Sequence, residues 1–272
     1  MEPSGRVSVI VATRNSAGTL ERLLASVSAQ SLPPFEVIVV DNASTDATKE
    51  IAAGFSATVL DRGPERSAQR NAGVAAAAGD FVLILDSDMV LEPQTLAACV
   101  DEATRSGAAA VVVPEVTIGD GLLAAIRKLE RSCYEGDPTV EAARFFTREA
   151  FLRFGGYDED LTGPEDWDLP ARMRRAGETV SRADAACVLH DEGGLTLGNH
   201  LKKKFYYGRS LRAYSRRHPG LAARQFTLIR PAFVRHWRRL ARQPVLALAM
   251  IGLKAAEFSA GTAGAAMPRR PR

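Results

Sequence analysis

Residues 81–88 read FVLILDSD, five apolar residues and then two aspartates one residue apart. A continuous apolar run of this length marks a strand buried on both faces. The turn that ends it lies where open α/β sheets keep their ligands, beyond the carboxyl ends of the strands. Two carboxylates there can reach a ribose hydroxyl and a hard divalent cation together. Mg2+ or Mn2+ prefers such oxygen ligands and keeps positions free for phosphate oxygens. An Asp-x-Asp also arises from turn acids or helix caps, so its weight comes from its place at a strand end.

Upstream, VSVIVA (7–12) and FEVIVV (35–40) are runs of the same kind. They are followed by Thr13, Arg14 and Asn15, and by Asp41. Residues 57–60 and 109–113 read as further strands. Leu20, Leu23, Leu24 and Val27 recur at helical spacing within 19–29, residues 45–53 are helical with Ser44 as the expected N-cap, and 65–78 form an Ala-rich helix. Pro93 stands where another helix begins. This alternation predicts an α/β fold with a mostly parallel sheet flanked by helices. Three strand ends then converge on one crevice. No Gly-x-Gly-x-x-Gly follows the first strand and no P-loop occurs, which removes support for a Rossmann dinucleotide site and a P-loop kinase.

The second half offers two further groups. Glu165-Asp166-Trp167-Asp168 follows Gly163-Pro164 and opens a helix predicted over 165–176. Acids favour a helix N-terminus because of its dipole, and one presented to a pocket there can act as a general base. Trp167 reads equally as a pocket wall or as core. His190 ends a strand predicted over 185–190. It is a metal ligand if that strand faces the Asp-Ser-Asp turn, and a structural histidine otherwise.

The chain has 272 residues, 46% hydrophobic and 25% charged, enough for a sizeable core and too apolar for global disorder. From Gly193 onward 17 Lys and Arg face a single acid, Glu257, a net +16; residues 1–192 hold 18 basic and 31 acidic residues, a net −13. The split predicts an acidic catalytic domain over 1–192 and a basic helical C-terminal extension over 193–272. Within the extension, LKKKFYYGRSLRAYSRR (201–217) interleaves aromatics with cations, and Val245–Leu253 is apolar but is followed by Lys254 and Glu257. The pattern fits helices lying on an anionic membrane surface better than a bilayer-spanning helix; a helical hairpin packed on the protein is the alternative. Nucleic acid is an unlikely partner for this surface. Cys99, Cys133 and Cys187 have neither zinc spacing nor a paired framework and read as buried free thiols of a reducing compartment. No secretory signal is read at the N-terminus, so a cytoplasmic location is expected, peripheral at the inner face of the membrane.

In order, VSVIVATRN, VIVVDNASTD, RSAQRNAGVAAAAGDFVLILDSDM, GGYDEDLTGPEDWDLPARMRRAG and His190 resemble glycosyltransferase family 2, over about residues 7–190. The resemblance implies a GT-A fold and transfer of a sugar from a nucleoside-diphosphate sugar to an acceptor hydroxyl, with inversion, and with Mg2+ or Mn2+ as cofactor. It places Asp41 at the nucleotide base with Thr13 and Asn15 near it, and Arg70 and Asn71 beside the nucleotide. Asp86 would reach the ribose or the metal, Asp88 and His190 would bind the metal, and Asp166 would be the catalytic base, supported by Glu165. Arg14 stands where many members carry an aromatic residue. Members with basic, amphipathic tails suggest a glycan or lipid-linked acceptor in cell-envelope glycan or glycolipid assembly. Two other readings use the same residues: a non-catalytic nucleotide- or glycan-binding protein, and a nucleotidyltransferase, although TRNSAGTLERL after the first strand is not the glycine-rich loop such enzymes carry.

Overall fold

The computed structural model describes residues 5–267. Residues 268–272, the end of the expected extension, lie outside the described residues. The first half runs β1 (Val7–Thr13), α1 (Ala17–Ser28), β2 (Glu36–Asp41), α2 (Thr48–Gly54), β3 (Thr58–Asp61), α3 (Arg66–Ala76), β4 (Phe81–Asp86), β5 (Met89–Leu91), α4 (Thr95–Ser106), β6 (Ala110–Val112), β7 (Glu115–Ile118) and α5 (Leu122–Ser132). The second half runs β8 (Ala143–Thr147), α6 (Arg148–Arg153), α7 (Glu165–Arg175), β9 (Val180–Arg182), β10 (Val188–Asp191), α8 (Leu197–Arg217), α9 (Pro219–Gln225), α10 (Pro231–Arg235), α11 (Trp237–Ala241) and α12 (Pro244–Ala266). Two compact units divide the chain. The first holds residues up to Glu115 with Ala142–Glu159 and Leu169–His190; the second holds Val116–Glu141, Asp160–Asp168 and the chain from Asp191.

The first unit is built on a seven-stranded sheet, order β3-β2-β1-β4-β8-β6-β9. β1 pairs in parallel with β2 and β4, β2 with β3, and β6 with β9; β8 alone is reversed. Every residue of β1 is buried. The period-2 pleat sends its side chains to two cores. Val7, Val9 and Val11 join Leu83 and Leu85 of β4, Leu20, Leu23, Leu24 and Val27 of α1, and Leu96 and Cys99 of α4. Ile10 joins Val82 and Ile84 of β4, Val74 of α3, Phe151 of α6, and Leu169 and Met173 from the later part of α7. Apolar residues on both faces are what the continuous hydrophobic runs announced. The N-cap of α2 is Ala47 and gives no side-chain cap; Ser44, expected there, bonds Asp41 instead.

In the second unit α8 and α12 pack along small residues: a Cβ on Gly208 would overlap the Gly261 carbonyl, and one on Gly264 the Phe205 carbonyl. Ile126 and Leu129 of α5 meet Phe233 of α10 and Met250 and Leu253 of α12. The apolar stretch after Pro244 does not break at Lys254 and Glu257. Both lie within the single 23-residue α12 and are buried. Lys254 Nζ pairs with Glu257 Oε2 at 2.5 Å and with Glu130 of α5; Glu257 Oε1 is 2.5 Å from His200 Nε2 of α8; and Glu130 accepts from Arg127 at 2.6 Å. By length and composition α12 could cross a membrane, although a third of its most apolar window is buried within the protein.

Gly73 offers a test of how tightly α3 is set on the sheet, because a Cβ there would overlap Ile10 Cγ2 and sit 3.1 Å from Val40 Cγ2. Alanine gains about 1 kcal/mol of helix propensity, but overpacking costs about 1–3 kcal/mol. Gly73→Ala is expected to lower the melting temperature by a few degrees in calorimetry; an unchanged or raised value would mean that α3 shifts freely.

Candidate active site

The parallel register sets three polar strand ends level. Thr13 of β1 is opposite Asp41 of β2, and Ala12 is opposite Asp86 of β4. Gln69 of α3 closes this end of the sheet, donating through Nε2 to the carbonyls of Thr13 (2.9 Å) and Val40 (2.7 Å).

Asp41 is fully buried. Its Oδ1 accepts from Thr13 Oγ1 (2.9 Å) and Ser44 Oγ (2.5 Å), and its Oδ2 from the Ser44 amide (2.8 Å). Asn15, at φ 50°, accepts from the Thr45 amide at 2.8 Å, while its own amide donates to Ser44 Oγ at 2.7 Å. Thr13, Asn15 and Asp41 thus pin the loop after β2 to the end of β1. Asn71 is spent on the backbone of Tyr157, donating to its carbonyl (2.8 Å) and accepting from its amide (2.9 Å).

Arginines surround Asp86. The buried Arg70 guanidinium donates to Oδ1 at 2.6 Å, and Arg66 and Arg144 stand at 3.7 Å. Arg66 and Arg70 are one turn apart on α3, and so share a face. Burial disfavours the charged carboxylate, but Arg70, Arg66 and Arg144 together hold it well below the usual range.

Asp88 follows on the turn into β5. β5 pairs antiparallel with β10, with His190 opposite Met89. That pairing sets His190 Nε2 3.3 Å from Asp88 Oδ2, and His190 Nδ1 is 3.6 Å from Glu115 Oε2. Burial disfavours the imidazolium, yet hydrogen bonds to Asp88 and Glu115 raise His190 to about 9. Asp88 Oδ1 is buried with no hydrogen-bond partner, a costly state for a carboxylate oxygen unless a cation or donor meets it. Glu115 also pairs with Arg144. In this cluster the carboxylates of Asp86, Asp88 and Glu115 face the guanidiniums of Arg66, Arg70 and Arg144, three charges of each sign, with His190 between Asp88 and Glu115.

The remaining predicted residues open α7, within the second unit. Glu165 is buried and accepts from the Gly163 amide at 2.5 Å; Asp166 is half-buried. Asp168 is buried against His218 at 2.8 Å. Trp167 is half-buried, donating to the Val140 carbonyl at 2.8 Å and packing beside Leu161, Tyr214 and Phe226.

The family described as Glycosyl transferase family 2 matches residues 8–157, which carry β1 to β8 and the Asp-Ser-Asp turn. The chain belongs to glycosyl transferase family 2. Similar curated proteins include the pre-mycofactocin glycosyltransferase of Mycobacterium tuberculosis, 30% identical over 81% of this chain and 50% of its own length. The succinoglycan biosynthesis protein ExoO of Rhizobium meliloti is 37% identical over 38% of this chain and 31% of its own length. The chain therefore spans a third to a half of these two relatives. Among solved structures, TarS 1–349 of S. aureus in complex with UDP-GlcNAc is similar at TM-score 0.57 and 18% identity, over 96% of this chain and 90% of that one. The mannosyltransferase PcManGT of Pyrobaculum calidifontis in complex with GDP-Man and Mn2+ has TM-score 0.57 and 19% identity, over 96% and 77%. The fold is the GT-A type that the resemblance implied.

Sequence reading in this family 2 chain missed Arg66, Arg144 and Glu115. The i,i+4 spacing of Arg66 and Arg70 was the one signal available. Removing one partner of a buried ion pair costs about 3–5 kcal/mol, so Asp86→Asn, which takes the carboxylate from the buried Arg70 guanidinium, should lower unfolding stability by up to that order at pH 7. The folded carboxyl is depressed, so this contribution is complete above the unfolded value of about 3.9 and is lost as pH falls through the folded one. The gap between wild type and variant should then hold from pH 7 to about 5 and narrow below about 4. Denaturant melts at several pH values measure it, and equal stability at pH 7 would discard the pairing.

Proposed function

We propose that the chain is a metal-dependent, inverting glycosyltransferase that passes a sugar from a nucleoside diphosphate to the hydroxyl of a glycan or lipid-linked acceptor in cell-envelope glycan or glycolipid assembly. The observation that carries this reading is the pairing of Asp88, with its orphaned Oδ1, and His190 at the carboxyl edge of a family 2 sheet. A hard divalent cation fits these groups. Mg2+ and Mn2+ are commonly held by one or two carboxylates with water and substrate phosphates completing the shell. When bound, the ion would neutralise charge on the leaving diphosphate. The structural neighbours TarS, in complex with UDP-GlcNAc, and PcManGT, in complex with GDP-Man and Mn2+, are consistent with this donor class.

The chain's own groups supply the rest. Arg66, Arg70 and Arg144 offset the carboxylates around Asp86 and Asp88, so a bound divalent cation would leave this edge net positive for a polyanionic donor before chemistry and for the developing charge during it. The Thr13–Asp41–Ser44 loop presents a rigid edge to the nucleotide. An acceptor hydroxyl is a poor nucleophile; in this reading Asp166 is the base that takes its proton, and Glu165, which accepts from the Gly163 amide, supports the turn before it. One base opposite the leaving group gives inversion.

A second element of the reading is cytoplasmic residence with peripheral attachment to an anionic membrane. Exposed Ile229, Val234, Trp237, Val245 and Leu248 in the second unit favour it, with Arg235, Arg238 and Arg242 exposed among them. Because Lys254 and Glu257 are tied into the buried ion network, the outward side of α12 is left apolar. Each well-placed cation contributes about 1 kcal/mol at an anionic surface.

Thermal shift with a panel of nucleotide sugars, with and without Mn2+, should find a donor that raises the melting temperature by mass action. With that donor, Asp166→Asn should cut turnover about 10²–10⁴-fold at nearly unchanged donor affinity. Unchanged turnover would move the base elsewhere; donor binding without turnover in wild type would favour a binding protein, and nucleotidyl transfer a nucleotidyltransferase. For the membrane, vesicle flotation should recover the protein with anionic but not neutral vesicles, and binding should weaken at high salt as exposed charges are screened. Protein left unbound by anionic vesicles at low salt would remove the attachment.

A further inference from the structure

Glu115 is absent from every motif that marks this chain, yet it occupies a defined place. It follows Pro114, whose carbonyl accepts from the Val188 amide at 2.9 Å, so the backbone contact that aligns β10 also brings Glu115 to His190. Its side chain is mostly buried and meets the far nitrogen of the ring: Nδ1 faces Glu115 Oε2 at 3.6 Å while Nε2 faces Asp88 at 3.3 Å. Arg144, itself 7% exposed, grips Glu115 on the other side and reaches Asp86 at 3.7 Å. The two aspartates of the Asp-Ser-Asp turn are thereby joined through a second route, Asp88 to His190 to Glu115 to Arg144 to Asp86.

An imidazole that binds a cation through one nitrogen needs its other N–H held by an acceptor, which fixes the tautomer, the ring plane and the basicity of the ligating nitrogen. A carboxylate is the strongest such acceptor, and a carboxylate whose own position is fixed by a buried arginine holds the ring more firmly than one free to rotate. We propose that Glu115, braced by Arg144, is a positioning residue that holds His190 with Nδ1–H toward itself and Nε2 free for the divalent cation shared with Asp88. The inference rests on the cation reading given above. Glu115 itself touches neither cation nor donor in this role, and acts through the imidazole.

The test reads Mn2+ binding directly, by electron paramagnetic resonance of the free ion titrated into the full chain, alone, with UDP and with GDP. Glu115→Ala should weaken Mn2+ binding about 10–100-fold, the usual scale for loss of such a partner. Glu115→Gln, which still accepts from Nδ1–H and is the safer variant for folding, should lose less. Long-range 15N spectra of labelled histidine in the Mg2+ form should show one His190 tautomer, Nδ1–H, in wild type and a mixture in Glu115→Ala. A role confined to neutralising Arg144 would lower the melting temperature and leave Mn2+ affinity and the tautomer as in wild type, and that result overturns the proposal. Wild-type protein that binds no Mn2+ with or without nucleotide would overturn the cation reading itself, a distinct outcome from wild-type affinity in both variants.

Discussion

The parallel pairing of β1 with β2 and β4 is the constraint on which the site depends. Parallel strands must all point their carboxyl ends one way, so the residues that end them are brought level whatever their separation in sequence. Thr13, Asp41 and Asp86 are 28 and 45 residues apart along the chain and level at the sheet edge because of that pairing. The apolar runs that force the strands into the interior therefore also build the site. A one-residue slip of β4 would move Asp86 away from the arginines of α3 and exchange the residues sent to the two cores.

Charge at this edge is balanced closely rather than simply acidic. Read from composition, the first 192 residues carry a net −13, which suggests a surface that repels anions. The fold answers with local pairing: three arginines converge on Asp86, and His190 stands between two carboxylates. Charge at this edge is balanced while the net charge of the first 192 residues is strongly negative, and an anion at the edge would meet the local field. The stability that Asp86 gains from its arginines also presets the turn that carries Asp88.

In the second unit the same chemistry serves structure. Lys254 and Glu257 look, in sequence, like interruptions of an apolar segment, because hydropathy counts a charge as exposed wherever it stands. Here each is buried beside partners from other helices, Glu130 of α5 and His200 of α8, and a buried ion pair of this kind is retained only when its hydrogen bonds are met. The glycines at 208, 261 and 264 let α8 and α12 approach closely enough for those partners to reach each other. No local rule of sequence reading connects Glu130 to Lys254 across more than a hundred residues. The continuous helix over Pro244–Ala266 was hidden for that reason.

What the sequence made legible follows the range of the physics involved. Strands β1, β2, β3, β4, β6 and β10 and helices α1, α3 and α7 announce themselves through periodicity and turn chemistry, which act over a few residues. The Asp-Ser-Asp turn and His190 were legible because each stands immediately after or at the end of an apolar run. β8 was not, since ARFFT lacks alternation and its reversed place beside β4 depends on Phe145 stacking on Phe81 at 5.1 Å. That unread strand carries Arg144 at its second position, and the contacts of Arg144 with Asp86 and Glu115 follow from the strand's place in the sheet. The residues hardest to find in the sequence are thus those whose contacts are set by tertiary pairing alone, as those of Arg144 with Asp86 and Glu115 are.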